Sequence, residues 1–118
     1  MDERLQKALD FSNYRIALFN RKENLKINMN NMLSCAINGG IFKADRELIS
    51  FITLLINAEK TRVVLIDING NPIEIIDLPA FLDELLNRYF EATNLYHSEY
   101  SKLKNARTVK NVYEFVDD

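Results

Sequence analysis

Two long helical patterns on either side of a β-hairpin constrain the fold of this chain most. Apolar residues recur at helical spacing over about residues 2–33 and again over about 78–107. Between them, Val63–Ile68 and Ile73–Ile76 flank Asn69-Gly70, a pair typical of a hairpin with a type I′ turn. At ~1.5 Å per residue each long helix extends over about 45 Å, which presents more apolar surface than one hairpin covers.

A shorter helix is predicted between the first long helix and the hairpin. It runs over about residues 46–60, with Asp45 as its N-cap, and it is the most apolar of the three helices. The sequence therefore predicts an α+β fold in one domain, 1–118. In this fold two long antiparallel helices and a shorter buried helix pack on a small antiparallel β-hairpin sheet at about 62–77.

Three parts of the chain stay open at the level of sequence. The flanks of Asn38-Gly39-Gly40 fit either a second small hairpin or a loop between helices. The polar stretch 20–24 fits either a continuous first helix or one that bends or ends there. The tail 108–118 contains a short apolar run at 112–116, which fits a strand, a docked segment or a frayed end.

The first helix carries apolar residues on two faces, where a surface helix normally needs one. One stripe is Leu5, Leu9, Ile16 and Phe19, with Ser12 in its gap. Two-sided helices favour a second partner, so we expect a homo-oligomer, with a dimer that builds a four-helix bundle preferred. The predicted seam uses the other stripe and the last helix: Phe11, Leu18, Leu25, Met29, Tyr89, Tyr96 and Leu103.

Charge and composition narrow the class of protein. The net charge is −2, whereas nucleic-acid-binding proteins usually have a basic excess. The single cysteine, Cys35, excludes an internal disulfide and is expected to be a buried, unreactive thiol. No apolar run approaches the ~18 residues of a membrane span, and the charged N-terminus is unlike a signal peptide. We expect a cytoplasmic protein.

A basic cluster at the end of the last helix supports the alternative function. Cations there complement the helix dipole, but they also suit the phosphates of a nucleic acid. Tyr89, Tyr96, Tyr100 and Tyr113 would then be stacking residues, although at helical spacing they are more often core or interface residues. The predicted anion-contacting residues are Arg88, Lys102, Lys104, Arg107 and Lys110.

The sequence predicts no catalytic, metal or cofactor site. The only histidine, His97, has no partner at metal-ligand spacing. The segment Asp67–Asn71 resembles the start of a calcium loop, but its Gly is in the wrong place and hairpin chemistry explains it. Asp67, Glu74 and Asp77 suit turn, strand and cap positions better than an acid–base pair. Asn38-Gly39-Gly40 lacks the spacing of a phosphate-binding loop.

Two segments resemble small uncharacterised proteins of contractile-tailed phages of marine cyanobacteria. They are Asn38–Phe51, which reads NGGIFKADRELISF, and Arg88–Tyr100, which reads RYFEATNLYHSEY. The resemblance implies a phage context, in which small acidic proteins often serve as assembly or regulatory accessories. It brings no catalytic or binding residues with it. The function we expect is therefore that of a non-enzymatic interaction protein.

Overall fold

The computed structural model describes residues 2–105 and has an α+β fold, as predicted. The first helix is continuous through the polar stretch 20–24, and α3 ends at Lys104. The predicted tail, 108–118 with Lys110 and Tyr113, and the preceding Arg107 lie outside the described residues. The elements in chain order are α1 (Glu3–Met32), β1 (Ser34–Ile37), β2 (Gly40–Lys43), α2 (Arg46–Asn57), β3 (Val63–Ile66), β4 (Pro72–Ile75) and α3 (Leu78–Lys104).

The described residues divide into two compact units. The helix-pair unit consists of α1 up to Met29 and of α3 from Asn94 onward. The hairpin unit is the continuous segment Asn30–Thr93. The chain length favours a single domain over residues 1–118, and this stays a prediction.

The first hairpin of the hairpin unit resolves one alternative that the sequence left open. Strands β1 and β2 pair antiparallel, with Ile37 opposite Gly40, so the turn is Asn38-Gly39. Both turn residues have positive φ, 53° and 84°, which is the signature of a type I′ turn. Gly40 allows a close approach, because a Cβ atom there would lie 2.6 Å from Cγ1 of Ile73 in β4.

The second hairpin has a different turn from the one predicted, so the type I′ assignment at Asn69-Gly70 is wrong. Strands β3 and β4 pair antiparallel with Ile66 opposite Pro72, which leaves a loop at 67–71. Gly70 has φ 84°, but Asn69 does not have positive φ. The loop closes instead through Asp67, whose backbone carbonyl accepts from the Gly70 amide at 3.0 Å. Within this loop the Asp67 carboxylate also accepts hydrogen bonds from the Asn69 and Asn71 amides.

The core of the hairpin unit lies between the hairpins, α2 and the first half of α3. Phe42 of β2 meets Phe81 of α3 edge to face, with ring centroids 5.3 Å apart. Helix α2 contributes Ile52 and is covered on one face only, since Phe51 and Leu54 are exposed. The most deeply buried large side chains of this unit are Ile52, Ile75, Leu78 and Leu85.

Side-chain caps set where the two helices of this unit begin. Asp45 accepts from the Leu48 amide at 2.9 Å, as its position in the sequence predicts. Asp77 does the same for α3 and accepts from the Ala80 amide at 3.1 Å. Each bond satisfies a backbone donor that has no partner within the helix.

Helix α2 ends three residues before the predicted position, in a Schellman motif. The amides of Glu59 and Lys60 donate to the carbonyls of Ile56 and Leu55, at 2.9 and 3.0 Å. This geometry places Glu59 at φ 63°, a left-handed conformation in which its Cβ is crowded. Glycine usually occupies this position.

We predict that Glu59→Gly stabilises the protein by about 0.5–1 kcal/mol, because glycine adopts the left-handed conformation without steric strain. The free energy of unfolding by urea measures the effect. Glu59→Ala is the control, since it removes the same charge but retains the Cβ, and its stability should not rise. Equal gains in both variants would show that the charge, rather than the backbone conformation, limits stability.

Candidate interaction surface

The helix-pair unit has a core of its own between α1 and α3. Ala17 and Leu25 of α1 and Leu103 of α3 are buried there. Four partly buried side chains surround this cluster: Tyr14, Leu18, Tyr96 and Tyr100. Tyr96 and Tyr100 stack with ring centroids 5.9 Å apart, and the ammonium group of Lys22 lies 5.4 Å from the Tyr100 ring centroid. One apolar face of α1 is therefore covered within the chain.

This core changes the predicted oligomer seam. Leu25 and Leu103 are 5% and 1% exposed, so they have almost no surface to offer a second copy, and they leave the predicted seam. Leu18 and Tyr96 pack beside them and are half-buried. The sequence pattern identified an apolar face correctly, but helical spacing does not say whether the covering helix belongs to the same chain.

The remaining predicted seam residues keep accessible surface. Phe11 is 61% exposed on α1. Met29 of α1 and Tyr89 of α3 are half-buried. Phe11 thus stays available to a partner, whereas Met29 and Tyr89 offer only part of their surface.

The other stripe of α1 is exposed. We call it the outer stripe and define it as Leu5, Leu9, Ser12, Ile16 and Phe19. Leu5 is 52% exposed and Phe19 is 64% exposed, and the other apolar members lie between 40% and 60%. At ~100° per residue the outer stripe lies about 160° around the helix from Ala17, Arg21 and Leu25. Helix α1 thus has one covered apolar face and one uncovered face on nearly opposite sides.

A shallow groove runs along the outer stripe. Its lining residues are Phe11, Ser12, Arg15, Ile16 and Phe19. The Arg15 guanidinium lies 5.9 Å from the ring centroid of Phe11, so its apolar stem and the ring form one edge of the groove. The groove is thus apolar along its length, with one basic edge.

The hairpin unit also exposes apolar side chains. Alternate residues of β3 and its continuation point away from the core, and Val64, Ile66 and Ile68 are each at least 60% exposed. A two-stranded sheet has two faces, and the core of this unit covers only one of them. This surface is a second region that a partner could cover.

Asp67 joins the two hairpins of the hairpin unit. Its Oδ1 accepts from the amides of Asn69 and Asn71, at 3.0 and 2.8 Å, and its Oδ2 accepts from the Ile41 amide at 3.1 Å. The Ile68 amide returns a bond to the Ile41 carbonyl at 3.0 Å. The bonds from Asn71 and Ile41 hold the pKa of the carboxyl below its usual range, because they favour the ionised form. This geometry makes Asp67 a structural acceptor.

The other residues considered for chemistry also have structural partners. The Asp77 carboxylate caps α3, and Glu74 forms an exposed ion pair with Arg62 at 3.5 Å. Cys35 is buried as predicted, and its Sγ lies 3.6 Å from the Phe42 carbonyl oxygen. Burial raises the pKa of this thiol. Among residues 2–105, no three carboxylate, thiol or imidazole groups cluster as a metal site would require.

Three members of the predicted basic cluster, Arg88, Lys102 and Lys104, lie within the described residues. Lys102 is paired with Glu99 at 3.5 Å. Lys102 and Lys104 are two residues apart on a helix, so they lie ~200° apart around it and do not face the same side. Arg88 belongs to the hairpin unit and is half-buried. An anion-contacting role of this cluster stays a prediction.

Comparison with known proteins finds no matching family, no matching curated protein and no matching solved structure. Within the described part of the chain, none of the helices combines the length and the apolar character needed to cross a bilayer.

We predict that Asp67→Asn lowers the stability at neutral pH, because a neutral amide accepts hydrogen bonds more weakly than a carboxylate. The folded pKa of Asp67 is lowered from 3.8, so its contribution is complete above the unfolded value. The contribution is lost as the pH falls below about 4 and through the folded pKa. The difference in free energy of unfolding between wild type and variant should therefore shrink in acid.

Urea unfolding at a series of pH values measures this difference. Glu74→Gln is the matched control, because it neutralises an exposed carboxylate of the same hairpin. Its stability difference from wild type should be small at all pH values. A constant difference for Asp67→Asn between neutral and acid pH would contradict the role assigned to the carboxylate.

Proposed function

We propose that this protein is a non-enzymatic interaction protein that self-associates through the outer stripe of α1. The observation that carries the proposal is the exposure of four large apolar side chains on the face of α1 opposite its intrachain core. Contiguous exposed apolar surface usually marks an interaction site.

The spacing of the outer stripe favours another helix as the partner. Its members succeed one another at intervals of four, three, four and three residues, from Leu5 to Phe19. This is the spacing of the a and d positions in a coiled coil. A second copy of α1 supplies the same stripe, so a symmetric dimer would pair apolar surface with apolar surface.

The flanks of the outer stripe are compatible with this pairing. The neighbouring positions hold Gln6, Asn13 and Asn20 on one side and Ala8, Arg15 and Lys22 on the other. Two heptads form a short seam, with Ser12 as a small polar position at its centre. We therefore expect a dimer that dissociates in the micromolar range rather than an obligate one.

The core with α3 lies on nearly the opposite face of α1. A dimer through the outer stripe would therefore place the two α1 helices side by side with one α3 on the outside of each, which is a row of four helices rather than the four-helix bundle expected from the sequence. The phage context implied by the sequence resemblance fits the role of an assembly accessory, which acts by contact rather than by chemistry.

We predict that Phe19→Lys raises the dimer dissociation constant by about tenfold or more, because it places a cation in an apolar seam next to Arg15 and Lys22. Lysine is preferred to glutamate here, since a carboxylate could pair with these two cations. Sedimentation equilibrium over a micromolar concentration series measures the constant, and circular dichroism checks that the variant is folded.

Leu54→Lys is the matched control. Leu54 is exposed to the same extent as Phe19, at 64%, but it lies on α2. This variant should dimerise like the wild type. A wild-type protein that sediments as a monomer at micromolar concentration overturns self-association. A dimer that Leu54→Lys disrupts and Phe19→Lys does not would move the seam to the hairpin unit.

A further inference from the structure

Charged residues continue the face of the outer stripe at both of its ends. One heptad before Leu9 this face holds Asp2, and one heptad after Phe19 it holds Lys26, with Glu23 in between. Helix α1 is continuous from Glu3 to Met32, so the residues after Phe19 keep the helical phase of the stripe. The apolar stripe is thus bordered by a carboxylate at its start and by a carboxylate and an ammonium group at its end.

The two outermost of these charges are accessible to a partner. Asp2 is exposed, and its Oδ1 accepts from the Arg4 amide at 3.1 Å. Lys26 is also exposed, and its ammonium nitrogen lies 3.4 Å from a carboxylate oxygen of Glu23. An exposed ion pair of this kind contributes little free energy, so Lys26 can contact a second carboxylate at small cost.

A parallel pairing of two outer stripes would bring like charges together. In a parallel pair each position on the stripe faces the same position of the second copy. Asp2 would then face Asp2, Glu23 would face Glu23, and Lys26 would face Lys26. All three contacts are repulsive, and the two helix dipoles would also point in the same direction.

An antiparallel pairing covers the apolar residues equally well. If Leu9 lies opposite Phe19 of the second copy, Ser12 lies opposite Ile16, because facing positions shift equally in opposite directions along the two helices. The two-fold axis repeats both contacts. The alternative antiparallel register, one heptad away, places Phe19 opposite Asp2 and so leaves the most exposed apolar member of the stripe against a carboxylate.

The register with Leu9 opposite Phe19 also pairs opposite charges. It places Asp2 opposite Lys26 of the second copy, and the two-fold axis produces this contact at both ends of the seam. The like-charge contacts of the parallel pair are replaced by two attractive ones. The two helix dipoles are then antiparallel, which is the favourable arrangement.

The other cations beside the seam leave this preference in place. Arg15 would approach Arg15 of the second copy near the two-fold axis, but it is exposed and its guanidinium lies 5.9 Å from the Phe11 ring centroid, so water screens the repulsion. The Lys22 ammonium group lies 5.4 Å from the Tyr100 ring centroid and is thus directed towards α3. The charges of α3 itself belong to the helix that packs on the opposite face of α1.

We infer that the outer stripes of two copies pair antiparallel, with Leu9 opposite Phe19 and Asp2 opposite Lys26 of the second copy. This inference rests on the proposed self-association and adds its orientation and register. The charges at the ends of the stripe select the orientation, and the apolar side chains supply most of the buried surface.

Cross-linking between introduced cysteines tests the orientation. Leu5→Cys and Glu23→Cys are each made in a Cys35→Ala background, mixed in equal amounts, and treated with a short bismaleimide. In the antiparallel register Leu5 lies opposite Glu23, whereas in a parallel pair these positions are about 27 Å apart along the seam. We expect cross-linked dimers in the mixture and none in either variant alone, as measured by mass spectrometry.

A charge reversal provides a second measurement. We expect Lys26→Glu to raise the dimer dissociation constant about fivefold, because two contacts between opposite charges become contacts between like charges. In a parallel pair the constant should not change, since one like-charge contact replaces another. Lys7→Glu is the matched control, because Lys7 is exposed on α1 but has the helical phase of Arg21, away from the outer stripe.

The outcomes separate this inference from the proposed function. Cross-linking in Leu5→Cys alone, no cross-linking in a mixture that sediments as a dimer, or an unchanged constant for Lys26→Glu overturns the antiparallel register but not self-association. A wild-type protein that sediments as a monomer at micromolar concentration overturns both. Circular dichroism checks that each variant is folded.

Discussion

In the hairpin unit, the hydrogen bonds of the Asp67 carboxylate tie the two hairpins to each other. Each hairpin alone has two strands, and isolated hairpins are marginally stable in water. Asp67 closes its own loop with two bonds and reaches the Ile41 amide of the other hairpin with a third. Because the two hairpins are thereby held together, Phe42 and Ile75 can contribute to a common core with Phe81.

The helix-pair unit has the opposite problem, since its described residues carry more apolar surface than they cover. Helix α1 packs on α3 through Ala17, Leu25 and Leu103. A pair of helices buries one stripe of each, so a second stripe on either helix stays in water. The outer stripe is the direct consequence of this geometry.

The sequence predicted the elements well, because helical period, caps and β-branched runs are local signals. Asp45 and Asp77 cap helices as expected, and both long helices are present. The turn chemistry was assigned to the wrong Asn-Gly pair. Asn38-Gly39 forms the type I′ turn. Asn69-Gly70 instead belongs to a loop that Asp67 closes, and the Asp67 carboxylate also accepts a hydrogen bond from the Ile41 amide, 26 positions away. A side-chain bond of that range leaves no local signal.

The sites were less predictable than the fold, for a related reason. The pattern placed Leu25 and Leu103 on apolar stripes correctly, but only the fold shows that they cover each other. In a helical wheel Arg21 looks like an interruption of an apolar stripe. Its burial became visible only in the fold, because helical spacing does not say which residues pack around a side chain.

The two faces of α1 illustrate how one helix can carry separate requirements. The covered face must be apolar enough to pack on α3, yet it contains the largely buried Arg21, which makes no ion pair among the described residues. The outer stripe is apolar although the described residues leave about half of its surface exposed to water. Exposed leucine, isoleucine and phenylalanine do not stabilise the isolated chain, since their apolar surface stays in contact with water. The proposed self-association would remove this surface from water, which is why the outer stripe carries the proposal and the covered face does not.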